Sequence, residues 1–157
     1  MKIKLICIGT VRDKEIGKAI DNYAGRIPHY WPFGISNLSD VRAGKSLDAS
    51  RQKEMEGMKI LSEIGAGDFV VLLDERGKEF TSREFSEFIE KKAIQLPRNL
   101  IFVVGGPYGF SQEVYSRADM LVSLSKMTFP HELVRLFFVE QLYRAGTILK
   151  GEPYHHD

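Results

Sequence analysis

Short runs of almost unbroken apolar residues constrain this chain more than any other feature. Lys2 to Gly9 (KIKLICIG), Asp68 to Leu73 (DFVVLL), Leu100 to Val104 (LIFVV) and the run closing on Leu121, Val122 and Leu124 lack a regular wet face. Each therefore predicts a strand covered on both sides, as strands of a parallel sheet are. Between them lie stretches of helical period. Lys14 to Ile27 places Ile16, Ala19, Ile20, Tyr23, Ala24 and Ile27 at steps of three and four, and Asp48 to Ile64 forms a charged helix. A helix carrying Phe85, Phe88, Ile89 and Ala93 follows Thr81 and Glu84, which stand at capping-box spacing, and a short helix with Val114 and Tyr115 begins at Ser111. Phe33 to Ser39 is a weaker strand. Strands alternating with helices over 157 residues predict one α/β domain, a mostly parallel sheet flanked by helices.

Local signals refine this outline. In the Asp48 to Ile64 helix, Met55, Met58, Ile60, Leu61 and Ile64 form the expected buried side, with Arg51, Lys53, Glu54, Glu56 and Lys59 on a solvated face. Asp74 to Lys78 reads as a turn, Arg42 to Ser46 as a surface loop, and Pro28 to Pro32 as a break. Pro130 opens the last helix, with Thr128 placed to cap it. From His131 onward apolar residues cover most of the circumference, which predicts protein on nearly all sides and a partner subunit as the extra cover. Gly146 lies inside this helix at a cost of about 1 kcal/mol relative to alanine, so either a neighbour approaches closely there or the last turn is soft. Cys7, alone in the sequence, is expected to be buried and inert.

Composition excludes several classes. With 22 Lys plus Arg against 21 Asp plus Glu, the protein cannot grip nucleic acid mainly by its overall field, so RNA would have to be read by a local patch or by shape. Apolar runs end well short of the roughly 18 residues that span a bilayer, and the opening residues lack a signal-peptide pattern, so a cytoplasmic location is expected. Neither GxxxxGK[ST] nor a GxGxxG after the first strand is present, and no serine or cysteine sits in a nucleophile turn, which disfavours a hydrolase. His131, His155, His156 and Asp157 make a weak metal set, and none is expected.

In parallel sheets ligands bind beyond the carboxyl ends of the strands. Three loops compete for that role: Leu73 to Lys78, Gly105 to Phe110, and Ser125 to Pro130. The adjacent glycines Gly105 and Gly106 let a ligand approach the backbone closely, although they serve a tight turn equally well.

Taken together, Leu73-Asp74 with Gly77-Lys78, Gly105-Gly106-Pro107-Tyr108-Gly109, Leu124 to His131 (LSKMTFPH), Val134-Arg135, Glu140 to Ala145 (EQLYRA) and Pro153-Tyr154-His155 resemble the RlmH family. These SPOUT-class enzymes methylate N3 of a pseudouridine in large-subunit ribosomal RNA. The resemblance spans the chain, including the opening KIKLICIGT and Tyr23 with Arg26. It implies a trefoil-knotted α/β domain, with knot and cofactor loops in about residues 70–157, acting as a homodimer on the ribosome and using S-adenosyl-L-methionine.

By the same resemblance Leu73, Gly105, Gly106, Leu124, Ser125, Lys126, Met127, Thr128 and Phe129 would hold the cofactor. Leu73, Leu124, Met127 and Phe129 suit the enclosure of adenine and ribose, and backbone amides suit adenine edges. Arg144, Tyr154 and His155 would form the catalytic and RNA-binding set. Tyrosine and histidine can stack on an unpaired base, and arginine can hold a phosphate by paired hydrogen bonds. His155 is expected to place the nucleotide more than to take its proton, and the tail of one subunit to complete the site of the other. The alternative is a non-catalytic ribosome-associated RNA-binding protein of the same fold.

Overall fold

A computed structural model of the protein describes residues 1–41, 48–95 and 98–157; the loop expected at Arg42 to Ser46 lies outside them. The strands are β1 (Ile3–Ile8), β2 (Phe33–Leu38), β3 (Phe69–Glu79), β4 (Leu100–Val104) and β5 (Met120–Ser123). They form one sheet in the order β2-β1-β4-β3-β5, every pairing parallel. Helices α1 (Lys14–Arg26), α3 (Ser82–Gln95) and α5 (His131–Leu149) bury Ile20, Phe85, Ile89, Phe138, Val139, Leu142 and Ala145 against one face. On the other face α2 (Ala49–Ser62) and α4 (Gln112–Arg117) bury Ile60 and Val114 with Ile6, Val70, Leu72, Ile101 and Val103. Having a core on both faces explains why β1 and β4 read as continuous apolar runs.

Several local expectations hold. The Thr81 amide donates to Glu84 Oε2 (2.8 Å) and the Glu84 amide to Thr81 Oγ1 (3.1 Å), closing a reciprocal cap on α3. Cys7 is fully buried, and that burial pushes its thiol up to about 11.

The expected turn at Asp74 to Lys78 is instead part of β3, an uninterrupted eleven-residue strand. Leu73 and Lys78 both stand opposite Val122, so the intervening residues bulge outward while pairing with β5 resumes. Gly77 makes this possible. A Cβ there would lie 2.5 Å from the Leu121 carbonyl carbon and 2.6 Å from that of Val122, so any side chain would force β5 away. The turn-type composition was a signature of the bulge.

On α2 the buried face is turned from the expected one: Glu56 is 2% exposed and Met58 71%. The cause is Gly57, which brings the helix against Ser111 and Val114, so that the neighbouring Glu56 goes inward and Met58 outward. Thr128 does not cap α5, whose N-cap is Pro130 without a side-chain hydrogen bond. The break after α1 contains a 3-10 turn, Ile27–His29.

Helix α5 is less enclosed in the single chain than its composition suggests. Arg135, Phe138, Val139, Leu142 and Ala145 to Thr147 are buried, whereas Leu133, Val134, Leu136 and Tyr143 are half-buried and Phe137 is exposed. Its N-terminal half is tied to the sheet by Arg135, which donates to the carbonyls of Ile8 (2.6 Å) and Gly9 (2.9 Å) and to Asn37 Oδ1 (3.3 Å). Its far end is approached by Tyr30, whose ring lies against Gly146, which settles the question of that glycine in favour of close packing. Gly151, at φ +67°, then reverses the chain while Glu152 N–H reaches back to Thr147 O (2.9 Å), and the tail returns along α5.

Candidate active site

The bulge of β3, the loop after β4 and the loop after β5 meet around one cavity of about 560 Å³, within the range of small-molecule and cofactor sites. Parallel pairing makes this inevitable, because β4, β3 and β5 are neighbours and end on the same edge. All three candidate loops therefore contribute, rather than one.

Leu73, Gly105, Gly106, Leu124, Ser125, Met127, Thr128 and Phe129 line the cavity. Lys126 does not: its side chain is 88% exposed and its ammonium stands 4.0 Å from Glu79. The loop is turned by its own serines, Ser123 Oγ donating to Ser125 O (2.8 Å) and Met127 N–H donating to Ser125 Oγ (3.0 Å), and Lys126 projects outward at the bend. Phe129 is braced edge-on against Phe137 of α5 at 5.0 Å. The opposite wall is a tight turn, Gly109 N–H donating to Gly106 O (3.1 Å), with Phe110 packed beneath Gly105. The walls are thus apolar side chains and backbone amide edges, suited to a flat heterocycle with polar edges.

One polar group on the wall escaped the sequence. Asp74, Arg76 and Tyr115 all line the cavity. The Tyr115 hydroxyl donates to Asp74 Oδ2, the Arg76 amide to Asp74 Oδ1 (2.8 Å), and Arg76 Nη2 to the Tyr115 hydroxyl (2.6 Å) with its guanidinium over the ring. Burial alone would raise the Asp74 carboxyl, but these hydrogen bonds hold it below the usual carboxylate range. The Tyr115 phenol is pushed up, by burial first and then by Asp74. The only sequence signal was the acidic residue directly after Leu73; its partner 41 positions on was not visible.

Arg144, Tyr154 and His155 come together in a second cluster, and none of them lines the cavity of the same chain. Glu140, one turn before Arg144 on α5, is the hub: its Oε1 accepts from Arg144 Nη2 and from the Tyr154 hydroxyl (3.0 Å). The Arg144 guanidinium stacks over the Tyr154 ring at 4.8 Å, and its Nη1 lies 3.1 Å from His155 Nδ1. Burial, with Tyr23 and Glu140 nearby, holds the Tyr154 phenol well above its ordinary range, so it remains a hydrogen-bond donor. His155 Nε2 is 2.9 Å from Asp157, itself clasped by Arg83 of α3. The tail is thus tied down by side chains. Among the described residues, no group of three or more His, Cys, Asp or Glu is arranged to hold a metal ion, and no helix is long and apolar enough to cross a membrane.

The family model described as "Predicted SPOUT methyltransferase" matches residues 1–155, and the chain belongs to the SPOUT methyltransferase family. Within that class it groups with proteins named ribosomal RNA large subunit methyltransferase H. One from Christiangramia forsetii is 56% identical over 99% of both chains, and one from Parabacteroides distasonis 52% over the full length of both. A third, from Flavobacterium johnsoniae, is 51% identical over 99% of both.

Proposed function

We propose that this protein transfers a methyl group from S-adenosyl-L-methionine to N3 of a pseudouridine in large-subunit ribosomal RNA, in the assembled ribosome and as a homodimer. The observation that carries this reading is the cavity itself, whose lining takes in every residue the resemblance assigns to the cofactor except Lys126. The relatives' shared name supports the RNA substrate.

When bound, the donor supplies an electrophilic methyl carbon on a sulfonium. The chain's own part is to position and to exclude water, which for in-line displacement can account for most of the acceleration. Leu73, Leu124, Met127 and Phe129 would enclose the nucleoside, and amides of the Gly105 to Gly109 turn would meet its polar edges. Asp74, kept ionised, suits the cationic end of the donor. Tyr154 is kept protonated with its hydroxyl donating to Glu140, so it cannot take the N3 proton.

Because Arg144, Tyr154 and His155 lie outside the cavity of their own chain, a second copy seated on the partly open face of α5, around Phe137, would bring its tail to this cavity. The near-neutral charge fits a short enzyme that reads assembled shape rather than naked RNA. The test is incubation with ribosomes and donor, followed by mass analysis of the RNA. Methyl on N3 of a pseudouridine is expected, with little on a protein-free hairpin; donor bound without any transfer to ribosomes contradicts the enzyme. Mixing Arg144→Ala subunits with Gly105→Trp subunits should restore part of the activity, and a complete failure to do so contradicts shared sites.

A further inference from the structure

We propose that Arg83 and Asp157 are positioning residues that fix the tautomer of His155 and, through it, the orientation of the Arg144 guanidinium. The inference rests on the reading above, in which Arg144 and His155 face the RNA.

The chain of contacts runs from the first turn of α3 to the middle of α5. Arg83 Nε lies 2.8 Å from both Asp157 carboxylate oxygens, and its Nη2 2.7 Å from Oδ2, so three short contacts hold the carboxylate in one plane. Hydrogen bonds from Arg83 first, and from His155 second, keep the Asp157 carboxyl down at about 2. An ionised carboxylate carries no hydrogen and can only accept. His155 Nε2, 2.9 Å away, must therefore carry the hydrogen of that bond.

The other ring nitrogen is fixed by the opposite argument. A guanidinium can only donate, and Arg144 Nη1 stands 3.1 Å from His155 Nδ1, so Nδ1 must present its lone pair. A hydrogen on Nδ1 would point at the N–H of a cation. Both nitrogens are thus committed, Nε2–H to Asp157 and the Nδ1 lone pair to Arg144. The imidazole cannot accept a proton from a nucleotide without releasing Arg144. It acts instead as a spacer, transmitting the position of Arg83 to a guanidinium whose other end is held by Glu140 and whose face lies on Tyr154. Arg144 Nε, buried and without a partner, is the one donor nitrogen of that group that none of these contacts uses. Arg83 is half-exposed and Asp157 lies on the surface, so neither is needed to complete the core.

The experiment uses the full-length protein. Long-range nitrogen–proton NMR of the histidine rings, with His155 assigned by its loss in His155→Asn, should show a single Nε2–H tautomer in the wild type. Arg83→Ala and Asp157→Ala should each convert it to an averaged pattern. The same variants should raise KM for ribosomes about tenfold while leaving the Kd for S-adenosyl-L-methionine unchanged, with Arg83→Lys recovering part of the loss. A wild-type His155 with its hydrogen on Nδ1, or an averaged one, overturns the proposal. So does an unchanged ribosome KM in Arg83→Ala when Arg144→Ala raises it. If Arg144→Ala itself leaves both kcat and KM unchanged, the RNA-facing reading of the cluster fails, and the NMR result alone then decides the tautomer lock.

Discussion

Glu56 occupies the space that a side chain on Gly106 would need: a Cβ there would fall 2.9 Å from the Glu56 carboxyl carbon and overlap Oε2. Glu56 is 2% exposed and its Oε1 accepts from Gln52 (3.0 Å), so burial and this bond limit its freedom to move aside. Gly106→Ala should therefore push the cavity wall inward and weaken donor binding by about tenfold, roughly 1.4 kcal/mol. Glu56→Ala in the same chain should relieve the overlap and recover much of the affinity. Isothermal calorimetry of the single and double variants checks this; equal losses in both would mean that the overlap is not the cause.

The Asp74 and Tyr115 pair predicts a pH-dependent loss of stability. The folded-state value of Asp74 lies below its unfolded one, so its contribution is full above the unfolded value and disappears as pH falls through the folded one. Tyr115→Phe removes a hydrogen bond to a charged, nearly buried carboxylate and should cost about 1.5–3 kcal/mol at pH 7. Urea melts at pH 7 and near pH 2 should show the difference between the two proteins shrinking on acidification. A difference that stays constant would remove Asp74 from the explanation.

Gly146→Ala sets helix propensity against packing. Alanine would gain about 1 kcal/mol in a free helix, but here its methyl would overlap the Tyr30 ring, and overpacking costs about 1–3 kcal/mol. A net fall in Tm of a few degrees is expected by calorimetric scanning. A rise in Tm would mean that the end of α5 is soft enough to step away from Tyr30.

Arg135→Met tests the tether between α5 and the sheet. It keeps much of the side-chain bulk and leaves the carbonyls of Ile8 and Gly9 without a partner in a buried position, at about 1–3 kcal/mol for each group left unsatisfied. Denaturant melts should show a loss of at least 2 kcal/mol, with donor affinity reduced because the helix also braces Phe129 through Phe137.

The layered architecture was legible in the sequence because its signals are local. Apolar runs, the helical periods of α1 and α3 and the Thr81 and Glu84 cap depend on neighbours in the chain, and each stands where expected. What stayed hidden was decided by contacts across the chain. Gly77 carries turn composition but serves the close passage of β5; Glu56 carries surface composition but is drawn inward because Gly57 lets α2 settle on Ser111. Gly146 allowed two readings until Tyr30, distant in sequence, chose between them. In the site, the resemblance named residues that, Lys126 apart, line the cavity. The outward turn of Lys126, the Asp74 and Tyr115 pair and the Arg83 to Asp157 clasp required coordinates, since no spacing rule links residues 41 or 74 positions apart.

Titration of the wild-type protein with S-adenosyl-L-methionine in a calorimeter, beside a Gly105→Trp variant, tests the central claim most directly. A side chain on Gly105 would meet the Phe110 ring at 3.0 Å, and both residues line the cavity, so an indole there should displace Phe110 and deform the cavity wall. Saturable binding by the wild type, at one site per chain or one per pair of chains, and none by the variant is the predicted result. No heat of binding in the wild type, or equal binding by both proteins, would contradict the assignment of this cavity to the methyl donor.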